Sequence, residues 1–240
     1  MNKGKVILIQ AKKGGVGKSW LCLQLAYGMV KTLNKKVVIL TSDNQNNILT
    51  YAGLNEKIEH GIEHWIETGK GQYAELRENL YYIPLNSPTL PIGSKNKFNG
   101  FIESLKNKFD YIFIDGTPLI NINTEFSEAA DHIVIPTFLD GVTSMSINDM
   151  MKKFGTTKIK AVIPNRAAPR SSLETEYYNS LKLTLEKSNI VLTCPVKQSA
   201  YISKLLDQGK TVYDTTSVKA EVIKNELKRV IEVIRWVRKW

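Results

Sequence analysis

The stretch Val6-Ile7-Leu8-Ile9-Gln10, followed by Ala11-Lys12-Lys13-Gly14-Gly15-Val16-Gly17-Lys18-Ser19 and a helical pattern over Lys18–Leu33, decides the fold. The first five residues are nearly all apolar rather than alternating, as in a strand buried on both faces. Glycines at 14, 15 and 17 ahead of Lys-Ser, between a strand and a helix, form a phosphate-binding loop. Without side chains, the glycines let backbone N–H groups converge on phosphate oxygens, and the helix N-terminus adds a positive dipole end. Lys18 is placed to bridge the β- and γ-phosphates, and the Ser19 hydroxyl to ligate Mg²⁺. Gly14, Gly15, Val16, Gly17, Lys18, Ser19 and Trp20 form the expected nucleotide-binding set. A turn that merely joins strand to helix has no need of three glycines and a Lys-Ser pair.

Outward from this loop, similar apolar runs recur at Val37–Thr41, Tyr81–Leu85, Tyr111–Asp115, Ile133–Thr137, Lys160–Pro164 and Ile190–Thr193. Helix-length segments lie between them at Phe98–Lys108, Ser144–Phe154, Ser171–Lys187 and Ser199–Gln208. Strand and helix in alternation imply right-handed crossovers and an α/β fold: a doubly wound, mainly parallel sheet with helices on both faces. Residues 54–97 carry Gly61, Gly69, Gly71, Pro84, Pro88, Pro91 and Gly93, and read as small helices and loops decorating the sheet. With no Ser/Gly linker or internal repeat, residues 1–240 are expected to form one domain. Residues 218–240 read as a long terminal helix with Ile223, Leu227, Val230, Ile231 and Ile234 on its packing face.

Composition excludes several classes. Two cysteines far apart, Cys22 and Cys194, cannot make a disulfide scaffold or a four-cysteine zinc site, and both read as small buried hydrophobes. No stretch reaches the ~18 apolar residues of a membrane span, so a cytoplasmic protein is expected. Thirty-three Lys+Arg against 23 Asp+Glu give a net charge of +10, which favours polyanionic partners and says nothing about fold.

The loop departs from its usual form. Lys12 stands where G-x-x-x-x-G-K-[ST] has its first glycine, and another lysine, Lys13, follows. On this point the chain resembles the ParA/MinD family of deviant-Walker ATPases, whose loop reads KGGxGK[ST]. The resemblance implies that Lys13 reaches across a dimer to the partner subunit's phosphates, as an arginine finger does; Lys12 is expected to be solvated. Thr41-Ser42-Asp43-Asn44-Gln45 corresponds to the family's D-x-D-P-Q, so Asp43 matches its second aspartate, a group able to orient the attacking water. Thr41 and Asn44 replace the first aspartate and the proline, and slow turnover is expected. Asp110–Pro118 resembles DYIIID-x-PP, with Asp115 holding Mg²⁺ through water and Gly116-Thr117 as a switch loop. The resemblance further implies that Asn165 reads the adenine edge, with Arg166 alongside and Pro195-Val196 packed on the base; by its own chemistry Asn165 is equally a turn residue. Ser203–Asp214 resembles the family's closing motif.

Within the family, a shared iron–sulfur cluster is excluded because neither cysteine lies in the switch loop. A membrane-binding ending of MinD type is weighed on Val233, Trp236, Val237 and Trp240 beside Arg235, Arg238 and Lys239, an interfacial composition; an ordinary terminal helix covering the domain edge fits it better. Lys152, Lys153, Lys158, Lys160, Arg166 and Arg170, with Lys219, Lys224, Lys228 and Arg229, are the candidate contacts to bulk DNA, and no sequence-reading motif accompanies them. The expectation is a Mg·ATP-dependent partition ATPase of ParA type, associated with the nucleoid. It would form an ATP-sandwich homodimer, bind DNA non-specifically, turn over slowly and be stimulated by a centromere-binding adaptor. A MinD-like, ATP-gated membrane-surface protein is the alternative.

Overall fold

A computed structural model describes residues 3–91, 93–118, 124–168 and 171–235. Among these, β1 (Lys5–Ile9), β2 (Val37–Thr41), β3 (Ala74–Arg77), β4 (Leu80–Ile83), β5 (Tyr111–Asp115), β6 (His132–Thr137), β7 (Ile159–Ala167) and β8 (Val191–Leu192) lie in the order β3-β4-β2-β5-β1-β6-β7-β8. A short β9 (Val196–Lys197) pairs with the end of β7. The pairings are parallel except the edge hairpin β3–β4. The strand expected at Tyr81–Leu85 is β4, and the hairpin adds the unexpected β3 to the helices and loops of residues 54–97: Asn79, at φ 62, makes its turn, and Ala74-Glu75-Leu76 alternates buried, exposed, buried.

The helices are α1 (Lys18–Leu33), α2 (Asn47–Tyr51), α3 (Ile62–Thr68), α4 (Lys95–Lys106), α5 (Thr124–Ala129), α6 (Gly141–Phe154), α7 (Ser172–Leu185), α8 (Ala200–Asp207) and α9 (Val218–Arg235). Successive β1 residues face opposite sides: Ile7 and Ile9 join the core under α1 and α9, while Val6 and Leu8 join the core under α4, α6 and α7. This is the doubly wound sandwich that a strand with no polar face requires. On α9, Leu227, Val230, Ile231 and Ile234 are buried and pack toward α1, so the spacing of its apolar residues is the spacing of its contacts. The Trp236, Val237, Arg238, Lys239 and Trp240 strip lies outside the described residues. Among the described residues no helix is long and apolar enough to cross a membrane.

The sheet order reverses around β1, whose neighbours are β5 and β6, and open α/β sheets bind ligands at such a switch point. The register sets what meets there. Ile9 pairs with Asp115, and Asp115 pairs with Thr41, so the loop after β1, the aspartate ending β5 and the segment after β2 share one edge of the sheet. Cys22 is buried, as read from the sequence, but Cys194 is exposed: it sits in the connection ahead of β9, where its backbone N–H donates to Glu226 at 2.9 Å.

Candidate nucleotide site

The glycine loop is held open by backbone conformations that suit glycine. Gly15 has φ 75, and Gly17, the residue capping α1, has φ 88. A Cβ on Gly17 would collide with the Asn165 amide. Gly17→Ala therefore combines the roughly 1–2 kcal/mol left-handed penalty with displacement of Asn165. Thermal unfolding with and without Mg·ADP should show a midpoint lowered by about 2–8 °C and nucleotide stabilisation largely lost. A variant with an undiminished ADP-induced shift would show that the loop tolerates the side chain.

The loop leads into a cleft of about 500 Å³ whose lining includes Gly14, Gly15, Gly17, Lys18, Ser19, Trp20, Asp43, Asn165 and Arg166, within the size range of small-molecule sites. Lys18 is buried and its ammonium donates to the Lys13 carbonyl at 3.3 Å. Burial lowers its pKa, against the pull of Asp115 and Asp43. Asp115 is 3% exposed. Burial raises its carboxyl to about 7, opposed by a hydrogen bond from Ser19 and by the Lys18 charge, and Asp43 adds to the rise. Its Oδ1 has no hydrogen-bond partner in the structure. A buried carboxylate oxygen without a donor, beside a serine hydroxyl and a lysine, suits a hard, hydrated cation. Ser19 and Asp115 are thus the residues that would hold Mg²⁺.

Asp43 is half-buried, and its Oδ1 accepts from the Gln45 N–H at 3.1 Å. Thr41 does not stand in for the missing acid chemically: its hydroxyl donates to the Asp43 carbonyl and accepts from the Asp43 N–H, each at 3.0 Å. It shapes the turn that presents Asp43. Two residues unmarked in the sequence hold the segment after β5. The Ser42 hydroxyl accepts from the Thr117 N–H at 2.8 Å, and the Gln10 amide donates to the Thr117 carbonyl at 2.9 Å. Gly116 fits because a Cβ there would meet Gln10 and the Ile9 carbonyl.

Other expected positions fall differently. Lys13 does not line the cleft; its ammonium pairs with Asp140 at 2.8 Å and lies 5.1 Å from the centre of the Phe138 ring. Burial works against the Asp140 charge. Even so, Lys13 and the Thr143 N–H and hydroxyl hold its carboxyl at about 2. Lys12 is not simply solvated but pairs with Asp149 at 2.7 Å. Asn165 is 3% exposed and its amide nitrogen donates to the Val16 carbonyl at 2.8 Å, while Arg166 donates to the Gly15 carbonyl at 3.2 Å. Both therefore brace the glycine loop. Val16 itself is buried away from the cleft. Pro195 and Val196 do not line it either: pairing with Asn165 turns Val196 into the core, and Lys197, Gln198 and Ser199 reach the cleft instead.

The basic residues do not form one face. Lys152 and Lys153 end α6, and Lys158 and Lys160 flank the start of β7, at the sheet edge opposite the glycine loop. Lys219, Lys224, Lys228 and Arg229 lie on α9, across the sheet from α6. Lys224 pairs with Glu221 at 2.7 Å and Arg229 with Glu226 at 3.1 Å, whereas Lys219 and Lys228, like Arg235 on the same helix, are exposed and make no ion pair among the described residues. Arg170 lies outside the described residues.

Comparison with known proteins places the whole chain among relatives. The family described as AAA domain matches residues 4–165. The sporulation initiation inhibitor protein Soj of Bacillus subtilis is 24% identical over 253 aligned residues, covering 95% of this chain and 98% of Soj. A putative septum site-determining protein MinD from Emiliania huxleyi is 28% identical over 180 residues, which span 69% of this chain and 64% of that relative's length. Among solved structures, Cyanothece McdA in its ATP complex has a TM-score of 0.76 at 18% identity, with both chains covered at 100%. At that identity the likeness concerns the fold.

Proposed function

Because the chain belongs to the ParA/MinD family of deviant-Walker P-loop ATPases, we propose that it is a Mg·ATP-dependent positioning ATPase of partition type. The observation that carries this reading is that Lys18, Ser19 and Asp43 line one cleft, with Asp115 buried behind them and interacting with all three, at the ends of three adjacent parallel strands. Glycine-loop N–H groups and Lys18 bind the triphosphate. Asp43 orients a water that attacks the γ-phosphorus as the bond to the ADP oxygen breaks, and Lys18 stabilises the charge that moves onto that oxygen. Mg²⁺ held by Ser19 and Asp115 would neutralise phosphate charge. The Asn165 carbonyl oxygen remains as an acceptor for the base. With Thr41 spent on the turn, only Asp43 of the family's acid pair serves the water, in keeping with slow turnover that a partner stimulates.

In this reading two subunits close over ATP, with Lys13 of each on the other's phosphates. The dimer binds bulk DNA through lysines such as Lys219 and Lys228, and a centromere-binding adaptor triggers hydrolysis and release. The protein would then be cytoplasmic and nucleoid-associated. Mobility shift of unrelated DNA fragments, with and without ATP, is the direct test. ATP-dependent binding should fall with log salt, and a Lys219→Glu, Lys228→Glu variant, which removes four contacts per dimer, should flatten that slope by about 4. ATP-dependent sedimentation with anionic vesicles and no DNA shift would transfer the protein to the membrane-surface class.

A further inference from the structure

We propose that Trp20 recognises the nucleoside half of the bound nucleotide, its ring walling the cleft and its indole N–H donating to the sugar–base unit. The proposal rests on the cleft being a nucleotide site. Trp20 follows Ser19 in the first turn of α1, is 5% exposed and lines the cleft. Its Nε1 has no acceptor in the structure. Buried tryptophan N–H groups ordinarily find a partner, and one left unpaired calls for an explanation. Among the described residues, other buried polar side-chain atoms also lack partners, but Trp20 is the one whose residue lines the cleft.

The composition of the walls points the same way. Glycines, Lys18 and Ser19 supply the charge-binding part, whereas Tyr51, Ile202 and Leu206 line the same cleft with aromatic and aliphatic surface. That aromatic and aliphatic surface, set among the polar Gln45, Asn47, Lys197 and Gln198 and backed by the buried indole donor, suits a heterocycle and its sugar better than a phosphate. The Asn165 amide nitrogen is committed to the Val16 carbonyl, so Trp20 supplies the donor that Asn165 does not. Trp20 also packs into the core around α1, and phenylalanine keeps most of that packing while removing the N–H.

Calorimetry on the full chain with Mg·ADP and with Mg·tripolyphosphate, which has no nucleoside, separates the possibilities. Trp20→Phe should bind ADP about tenfold more weakly and tripolyphosphate as the parent does. A second measurement leaves Trp20 in place: with Trp65, Trp236 and Trp240 changed to Phe, the remaining emission should respond to Mg·ADP and not to Mg·tripolyphosphate. This decides the matter if Trp20→Phe does not fold. Unchanged ADP affinity, equal losses for both ligands, or silent emission while calorimetry registers ADP would each overturn the role of Trp20 and leave the nucleotide site standing. Absence of binding by the parent protein to either ligand would overturn the nucleotide site itself.

Discussion

Asp115→Asn should lose Mg²⁺-dependent ATP hydrolysis by two to three orders of magnitude and, at the same time, stabilise the nucleotide-free protein above pH 7. The first effect follows from removing the buried charge beside Ser19 and Lys18 that would hold the cation, where loss of one electrostatic group typically costs 10²–10³-fold. The second follows from burial. The carboxyl is raised from 3.8 to about 7, so between these values the native state holds a proton that the unfolded chain has released. Stability therefore falls as pH rises from about 4 to 7, and the full deficit, on the order of 4 kcal/mol, remains above 7. Asparagine has nearly the same shape and no charge to desolvate. Urea unfolding of the nucleotide-free protein at intervals from pH 5 to 8.5 should show the parent losing stability up to pH 7 and the variant lacking that component. Parallel pH profiles for the two proteins would mean that Asp115 is solvated and is not the strained carboxylate described above. Its cost to the empty fold is the reason a bound cation would be favoured there.

How far the sequence disclosed this site depends on the distance over which each contact is encoded. The glycine loop is a local structure: strand, turn and helix start lie within Val6–Ser19, and each residue type has a local reason to be there. Asp115 was legible because an apolar strand ending in an acid is a local pattern too. Gln10 and Ser42 were not. They meet Thr117 only because β1 and β2 flank β5 in one register, and the Gln10 contact spans 107 residues of chain. The basic residues are the converse case. Lys152 to Lys160 and Lys219 to Arg229 form runs in sequence, yet the doubly wound topology places α6 and α9 on opposite faces. Pro195-Val196 missed by a single step of strand alternation: β9 turns Val196 inward and the next residue into the cleft. Asp140 had a readable signature, since Asp140-Gly141-Val142-Thr143 is an N-cap pattern and its carboxylate accepts from the Thr143 N–H at 2.8 Å. Nothing local revealed that the same carboxylate holds Lys13.

That pairing sets up the second large effect. Lys13→Ala should weaken ATP-dependent dimers at least 100-fold, while Mg·ADP still binds the monomer; Asp140→Asn should strengthen dimers by up to about thirtyfold. The asymmetry comes from magnitudes. Lys13 and Asp140 are 42% and 37% exposed, and an ion pair this open contributes about 1 kcal/mol at most. A triphosphate closed between two subunits offers Lys13 several negative charges out of water, where each contact is stronger. In the proposed dimer Asp140 would hold the lysine only while no phosphate is presented, and releasing both pairs would change the equilibrium by no more than the two were worth, about 2 kcal/mol or roughly thirtyfold. Asparagine is the informative replacement because it retains the cap on α6, so the helix start should survive and only the charge is removed. Sedimentation velocity with a non-hydrolysable ATP analogue reads both variants directly. If Lys13→Ala dimerises as the parent does, Lys13 acts within its own subunit and the cross-subunit role falls. If Asp140→Asn weakens dimers instead, the carboxylate belongs to the closed interface and is not the resting partner of the lysine.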